Sequence, residues 1–483
     1  MAITLYKPII GLEVHAQLLT QTKMFAPEQT SYGAMPNTNV SAITLAHPGT
    51  LPSINKKAIN HTIRMGIACH AKITKNNHFA RKNYFYPDLP KGYQITQDKT
   101  PLCTQGYITL PSTQNHPSKK IRIHRIHLEE DTGKSLHDLI PDHTLLDYNR
   151  AGTPLIEIVS EADIASPEEA YEYLKIIRQL LRYLDICDGN MEEGSMRCDA
   201  NVSVMRSDAT QWGEKVEVKN MNSLTSVRDA IQHEIRRQTT LLQQGKAIKA
   251  ATRRFDATTG TTIHQRSKET LSEYRYFPEP DLSPFVVDQV WIEKIKKTMP
   301  PLPNTLFKKF TQQYKINTYS AQVLISDKNT ALFFDKLCQH LTTDLQKAAN
   351  WLLGPIKSYL NEQKITIDDF PLSIPTLAQL IQLVTQQNLP FSTVAQELLP
   401  QLIANPRESP EKIAEKLGLL QTNDIKTVNA WIDHVLAKHP DKVATYQSGK
   451  KGLLGFFIAE IREHSNKKAD PKIVSKILKE KLC

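Results

Sequence analysis

Hydrophobic and polar residues alternate with a period of two in four separate stretches of this chain. In Arg197-Cys198-Asp199-Ala200-Asn201-Val202-Ser203-Val204 the polar set is Arg197, Asp199, Asn201 and Ser203, and the apolar set is Cys198, Ala200, Val202 and Val204. A strand points successive side chains to opposite faces. One side of this stretch therefore suits a core, while the other gathers a guanidinium, a carboxylate and an amide. Residues 12–18 repeat the pattern, with Glu13, His15 and Gln17 opposite Leu12, Val14, Ala16 and Leu18. Residues 215–219 put Glu217 away from Val216 and Val218, and residues 126–131 put His127 and Glu129 opposite Leu128.

Elsewhere the period becomes helical. Ser166-Pro167-Glu168-Glu169 predicts a helix start, with Ser166 as N-cap, Pro167 at N1 and Glu169 completing a capping box. Ala170, Leu174, Ile177, Leu181 and Leu184 follow at three-and-four spacing, which gives one buried stripe. A second helix is predicted after Asn222-Ser223, with Leu224, Val227, Ile231 and Leu242 near one stripe and Gly245 as its stop. Six prolines (Pro278, Pro280, Pro284, Pro300, Pro301 and Pro303) then end regular structure, because proline lacks a donor and fixes φ. Helical patterns resume and break again at Asn405-Pro406-Arg407-Glu408-Ser409-Pro410. The expected fold class is α+β: an antiparallel-sheet domain over 1–295, then two small all-α domains over 296–405 and 406–483.

A chain of 483 residues exceeds one ordinary core, in keeping with several domains. No run of about 18 apolar residues occurs, so no membrane span is expected. The start, Met1 to Pro8, has neither the charged nor the apolar region of a signal peptide. The six cysteines form no C-x-x-C pair, which fits free thiols in a reducing cytoplasm and argues against a zinc knuckle. No Walker loop, dinucleotide fingerprint or nucleophile elbow is present.

If the four alternating stretches pair in one antiparallel sheet, their carboxylates converge. Carboxylates that close repel one another and need a bound cation or a shared proton. Oxygen ligands with one imidazole suit Mg²⁺ or Mn²⁺ better than Zn²⁺. The competing reading is a solvated sheet face, which is the better one for any single strand.

Net charge is +10, which suits an anionic partner. Residues 441–483 carry ten Lys or Arg against five acids, with Lys450-Lys451 and Lys467-Lys468 between helical segments. That run reads equally as a solvated helix face or as a phosphate contact. The loop over 81–97 interleaves Tyr84, Phe85, Tyr86 and Tyr93 with Arg81, Lys82 and Lys91. It could stack on bases or merely be pinned by its aromatics.

Several longer segments resemble the B subunit of the tRNA-dependent amidotransferase, the GatB family. They are Ile10-Gly11-Leu12-Glu13-Val14-His15, residues 81–97, His127 to Lys134, Asp147 to Glu161, Met191 to Asn201 and Tyr274 to Asp281. Gly455-Phe456-Phe457 and Ala469-Asp470-Pro471 extend the likeness into the tail. The resemblance implies a cradle-shaped catalytic domain, a helical domain and a tail that grips tRNA. It implies ATP-dependent phosphorylation of the side-chain carboxylate of misacylated Glu-tRNA(Gln), and of Asp-tRNA(Asn), then displacement of phosphate by ammonia. Ammonia would come from a glutaminase A subunit, with a small C subunit clamping the two. The family's Mg²⁺ site maps by motif onto Glu13, His15, the Glu129-Glu130 pair, Asp199 and Glu217; alternation favours Glu129 over Glu130 as the ligand. Arg197, Lys219 and Lys82 are candidates to counter phosphate charge, and Lys450, Lys451, Lys467 and Lys468 to hold tRNA. Some members carry C-x-x-C where Ser41 and Thr44 stand here, so no zinc is expected. A non-catalytic tRNA-binding factor and a two-metal nuclease are the rival readings.

Overall fold

The computed structural model describes residues 5–112, 117–137, 139–267, 274–342, 344–420, 424–465 and 468–482. It divides into two units, 1–303 and 304–483.

The first unit is organised by a twelve-stranded sheet. The strands that matter for the site are β1 (Tyr6–Gln17), β2 (Ala80–Asn83), β3 (Tyr93–Thr96), β4 (Cys103–Leu110), β5 (Lys119–Glu130), β6 (Pro154–Ser160), β7 (Met196–Arg206), β8 (Val216–Lys219), β9 (Ala251–Asp256) and β10 (Thr261–Ser267). Their order is β10-β9-β8-β7-β1-β6-β5-β3-β2, with β4 also paired to β5. Every neighbouring pair in that order is antiparallel except β8 with β9, which is parallel. The sheet is therefore mixed, and the long connection between β8 and β9 is a helix, as a parallel crossover requires.

That helix is α3 (Leu224–Gln243); α1 (Lys56–Ala68) and α2 (Pro167–Tyr183) join it on the apolar side. Leu12, Val14, Ile156, Ile158, Ala200 and Val202 from the central strands meet Ile63, Leu174, Ile177, Leu181, Val227 and Ile231 from the helices in one core. Fully burying such a side chain contributes about 1.5–3 kcal/mol, so this face fixes strand register firmly. Ser166 caps α2 as its sequence predicts, its hydroxyl accepting from the Glu169 amide at 3.1 Å. The reciprocal half of the capping box differs. The Glu169 carboxylate accepts from the Ala165 amide at 2.8 Å and binds the Lys119 ammonium at 2.7 Å, because β5 brings that lysine alongside. Ser223 caps α3, and Gly245 lies past its end at φ 70°.

One irregularity shapes the polar face. Val159 pairs with Arg125 but Ser160 pairs with Ile123, so β5 bulges there. Core positions are Ile121 and Ile123 before the bulge and Ile126 and Leu128 after it. A bulge inserts one residue and shifts the alternation, as this change of parity requires.

The second unit is helical. Phe310, Ala321, Phe334, Trp351, Leu377 and Ile381 are among its buried residues. Val428, Ile432, Phe457, Ile461, Val474 and Leu478 form a separate apolar cluster among the last helices. No described helix is long and apolar enough to cross a membrane.

Candidate active site

The site is the polar face of the sheet, and strand register sets which side chains meet. Glu13 on β1 stands opposite Asp199 on β7 and Val159 on β6. His15 stands opposite Arg197 and Glu157, and Glu157 in turn opposite His127. Asn201 stands opposite Gly11 and Glu217. Side chains opposite one another on a face lie close enough to interact, so these rows become contacts.

Two groups of possible metal ligands result among the described residues. Glu13, Asp199 and Glu217 place one oxygen each within 4.8 Å of one another. His15, Glu129 and Glu157 do the same with two oxygens and a ring nitrogen. The five residues expected to share one ion thus fall into neighbouring groups, and Glu157 joins the second. Its neighbours Leu155 and Val159 share its side of β6 and are apolar, so alternation in residues 154–160 does not single it out.

The groups differ in their counter-charges. In the first, the Lys219 ammonium contacts Asp199 and lies 3.3 Å from Glu217. Burial alone would lower the lysine's pKa, but Asp199 and Glu217 outweigh it and hold it above its ordinary value. The Thr252 hydroxyl donates to Glu217 at 2.9 Å, and the Asn201 amide nitrogen donates to Glu13 at 2.8 Å. The Asn201 amide oxygen is buried without a partner. In the second group, His15 Nε2 lies 3.5 Å from Glu129 and 3.8 Å from Glu157, while His127 Nε2 lies 3.2 Å from Glu157. Burial would raise the Glu157 carboxyl, but His127 and His15 hold it well below the usual carboxylate range. His127 Nδ1 is also buried without a partner. Carboxylate oxygens and one imidazole are donors that fit a hard divalent cation. Asn201 Oδ1 and His127 Nδ1 beside them are buried side-chain atoms with no hydrogen-bond partner.

Lys82 projects toward Glu129 and Glu157, its ammonium 4.8 Å from the Tyr274 ring centre and 5.7 Å from that of Tyr84. Burial would lower its pKa, yet Glu129 and its neighbours raise it overall. Arg197 grips Asp131 through two contacts of 2.9 and 2.8 Å. Gln17 also donates to Asp131 at 2.8 Å. Burial would raise the Asp131 carboxyl, but Arg197 and Arg150 bring it down to about 2. In the sequence Asp131 is only one member of a motif, and its role as the anchor of Arg197 is visible only in three dimensions. Glu130 is on the opposite side of β5 from Glu129, bound by Lys91 and by the Ile95 amide at 2.9 Å. It stands apart from both groups. Arg81 pairs with Glu279 at 2.8 Å and stacks on Tyr93 at 4.1 Å, so this arginine of the aromatic loop is a fastening. In the tail, Lys450, Lys451 and Lys468 are exposed, and Lys451 lies 4.5 Å over Tyr446. Lys467 lies outside the described residues.

The sheet face that gathers carboxylates and imidazoles is joined in sequence to a basic helical unit. Residues 8–293 match the family model described as the GatB/GatE catalytic domain, and residues 332–482 match the GatB domain. The B subunit of an aspartyl/glutamyl-tRNA(Asn/Gln) amidotransferase from Thermodesulfovibrio yellowstonii is 44% identical over 479 residues, covering 98% of this chain and 100% of the relative. Relatives of the same name from Persephonella marina and Rickettsia rickettsii are 42% and 41% identical, with at least 97% of each chain covered. The chain belongs to the family of tRNA-dependent amidotransferase B subunits.

Proposed function

We propose that this chain amidates misacylated tRNA, turning Glu-tRNA(Gln) into Gln-tRNA(Gln) and Asp-tRNA(Asn) into Asn-tRNA(Asn) at the expense of ATP. The observation that carries this reading is the convergence of Glu13, Asp199 and Glu217, and of His15, Glu129 and Glu157, on one face of the sheet. The names of its relatives supply the substrate class.

A carboxylate is a poor acyl donor to ammonia because oxide is a poor leaving group. In the proposed reaction a carboxylate oxygen of the aminoacyl group attacks the γ-phosphorus of ATP, and the bond to the departing ADP breaks. Ammonia then attacks the acyl carbon, phosphate leaves, and nitrogen loses a proton. Phosphoryl transfer needs positioning and charge neutralisation more than covalent help. Glu13, Asp199 and Glu217, and His15, Glu129 and Glu157, would hold Mg²⁺. When bound, such an ion draws charge from phosphoryl oxygens. Lys82, caged by tyrosines beside Glu129, offers a fixed positive charge to a phosphate, whereas Arg197 orders Asp131 and the floor of the site. Lys219 keeps the first group compact.

The wider reading has a three-part chain, 1–295 for chemistry, 296–405 as a helical connector and 406–483 as the tRNA-gripping tail through Lys450, Lys451, Lys467 and Lys468. It also has a glutaminase A subunit as the source of ammonia, a small C subunit, and the cytoplasm as the place of work. The test is Glu129→Ala in the assembled enzyme, with ammonium chloride as the nitrogen source. ATP-dependent amide formation is expected to vanish while misacylated tRNA still binds. Full amidation by this variant would contradict the assignment.

A further inference from the structure

Among the described residues, Arg125 Nε is the only buried Lys or Arg side-chain nitrogen without a hydrogen-bond partner. Leaving a cationic donor unsatisfied in a protein interior is costly, and such groups are rare. Several other cations of this unit are ion-paired: Arg197 with Asp131, Lys219 with Asp199 and Glu217, Arg81 with Glu279, Lys91 with Glu130, Arg122 with Asp163; Lys82 instead lies over tyrosine rings. Arg125 reaches the face through the bulge in β5. Without that extra residue, the parity that buries Ile121 and Ile123 would turn Arg125 into the core. After it, Arg125 shares a side with His127 and Glu129.

Register aligns Arg125 with the first group. Val159 pairs with Arg125 on one flank and with Glu13 on the other, and Glu13 pairs with Asp199. One row across four strands therefore runs from a guanidinium to two carboxylates. Burial raises the Tyr276 hydroxyl, and the charges of Lys82 and Arg125 act against that rise. Beyond Arg125 the face opens into a cleft of about 530 Å³, lined by Arg125, Thr104, Tyr107 and Lys120 among others. Lys120 stacks over Tyr107 at 4.4 Å, and Arg122 and His124 in the same cleft are paired with Asp163 and Glu161. Arg125 thus brings a donor without a hydrogen-bond partner to a recess that also holds Lys120, Arg122 and His124.

We propose that Arg125 and the cleft it lines form the anion subsite of this face, in which the Arg125 guanidinium takes a phosphate group of a substrate held against the carboxylate groups. The proposal rests on the amidotransferase reading and names a contact within that site. Arginine suits the task because its planar fork can donate two parallel bonds to one phosphate. The phosphate can belong to the nucleotide or to the end of the RNA, and the two sources are separable.

The test uses the assembled enzyme with Arg125→Gln, Arg125→Lys and, as a control, the exposed surface substitution Arg206→Gln. Equilibrium binding of Mg-ATP and of misacylated tRNA is measured separately, along with KM for each and the thermal midpoint. Loss of a charge-assisted contact is expected to weaken one ligand about tenfold or more in Arg125→Gln. A loss in the ATP arm assigns the subsite to the nucleotide, and a loss in the tRNA arm assigns it to the RNA; either supports the proposal. Arg125→Lys keeps the charge without the fork and is expected to lose less. It also keeps the test open should Arg125→Gln fold poorly. Unchanged binding of both ligands by folded Arg125 variants would overturn the proposal. Wild-type enzyme that binds neither ATP nor misacylated tRNA would instead overturn the amidotransferase reading.

Discussion

The two carboxylate groups share a sheet face and a central strand, yet each answers its own negative charge differently. In the first group Asp199 and Glu217 close around Lys219, a fixed cation carried by β8 itself, while Glu13 accepts from Asn201. His15, Glu129 and Glu157 have histidines instead, with His127 completing the set. A lysine neutralises at any pH near neutrality, whereas an imidazole is a neutral ligand or a cation according to pH. The difference teaches that an ammonium already bridges two carboxylates of the first group, and that a metal bound there would share them with it. The second offers a mixed nitrogen and oxygen donor set, with the Lys82 ammonium nearby but held between tyrosine rings. Asp131 marks the other extreme on this face, paired with Arg197 and Arg150 and accepting from Gln17.

Substitutions can break or sharpen that contrast. Glu217→Ala should remove one of three oxygens from the first group and lower the rate of amide formation about 100-fold or more, as loss of a main electrostatic stabiliser does. Rates in the assembled enzyme with ammonium chloride measure it, and a fall below about threefold would show the first group to be idle. Asp131→Asn should leave Arg197 facing a neutral partner and destabilise the first unit by about 3 kcal/mol in urea unfolding. The Asp131 carboxyl titrates at about 2 when folded against an ordinary 3.8, so its contribution is complete above the higher value. It disappears as pH falls through the lower one. Between about pH 5 and pH 2 the wild type should therefore lose ~2 kcal/mol more than Asp131→Asn, by the difference in pKa. Equal losses would show that this carboxylate is not held ionised by its arginines.

Lys219→Met should raise Mn²⁺ affinity at the first group about tenfold, since a like charge next to the metal is removed. Weaker Mn²⁺ binding in that variant would mean the lysine organises the ligands and does not compete. Thr252→Val is the mildest change. It takes away one hydrogen bond to Glu217 and should weaken Mn²⁺ about tenfold at most, with no effect on the second group.

The same contrast separates what was legible in the sequence from what was not. Strict alternation in β1, β7 and β8 exposed Glu13, His15, Asp199 and Glu217, because their strands put apolar residues on one side and polar residues on the other. The capping signal at Ser166 and the helical stripe after Asn222-Ser223 located both long helices. Alternation also separated Glu129 from Glu130, and the structure puts them on opposite sides of β5. Glu157 escaped notice because it sits between Leu155 and Val159 on the same side of its strand. The division into two groups depends on register between strands far apart in sequence, which no local pattern encodes. Arg125 was hidden for a related reason: a bulge moved it to the polar face, and a one-residue shift in alternation looks like noise in a single chain.

Mn²⁺ binding to the full chain, followed by electron paramagnetic resonance, tests most directly whether these side chains form a divalent-cation site. Wild-type protein is expected to bind Mn²⁺, and a Glu13→Gln/Glu129→Gln variant that keeps its thermal midpoint is expected to lose that binding. Equal Mn²⁺ affinity in the two proteins would contradict it.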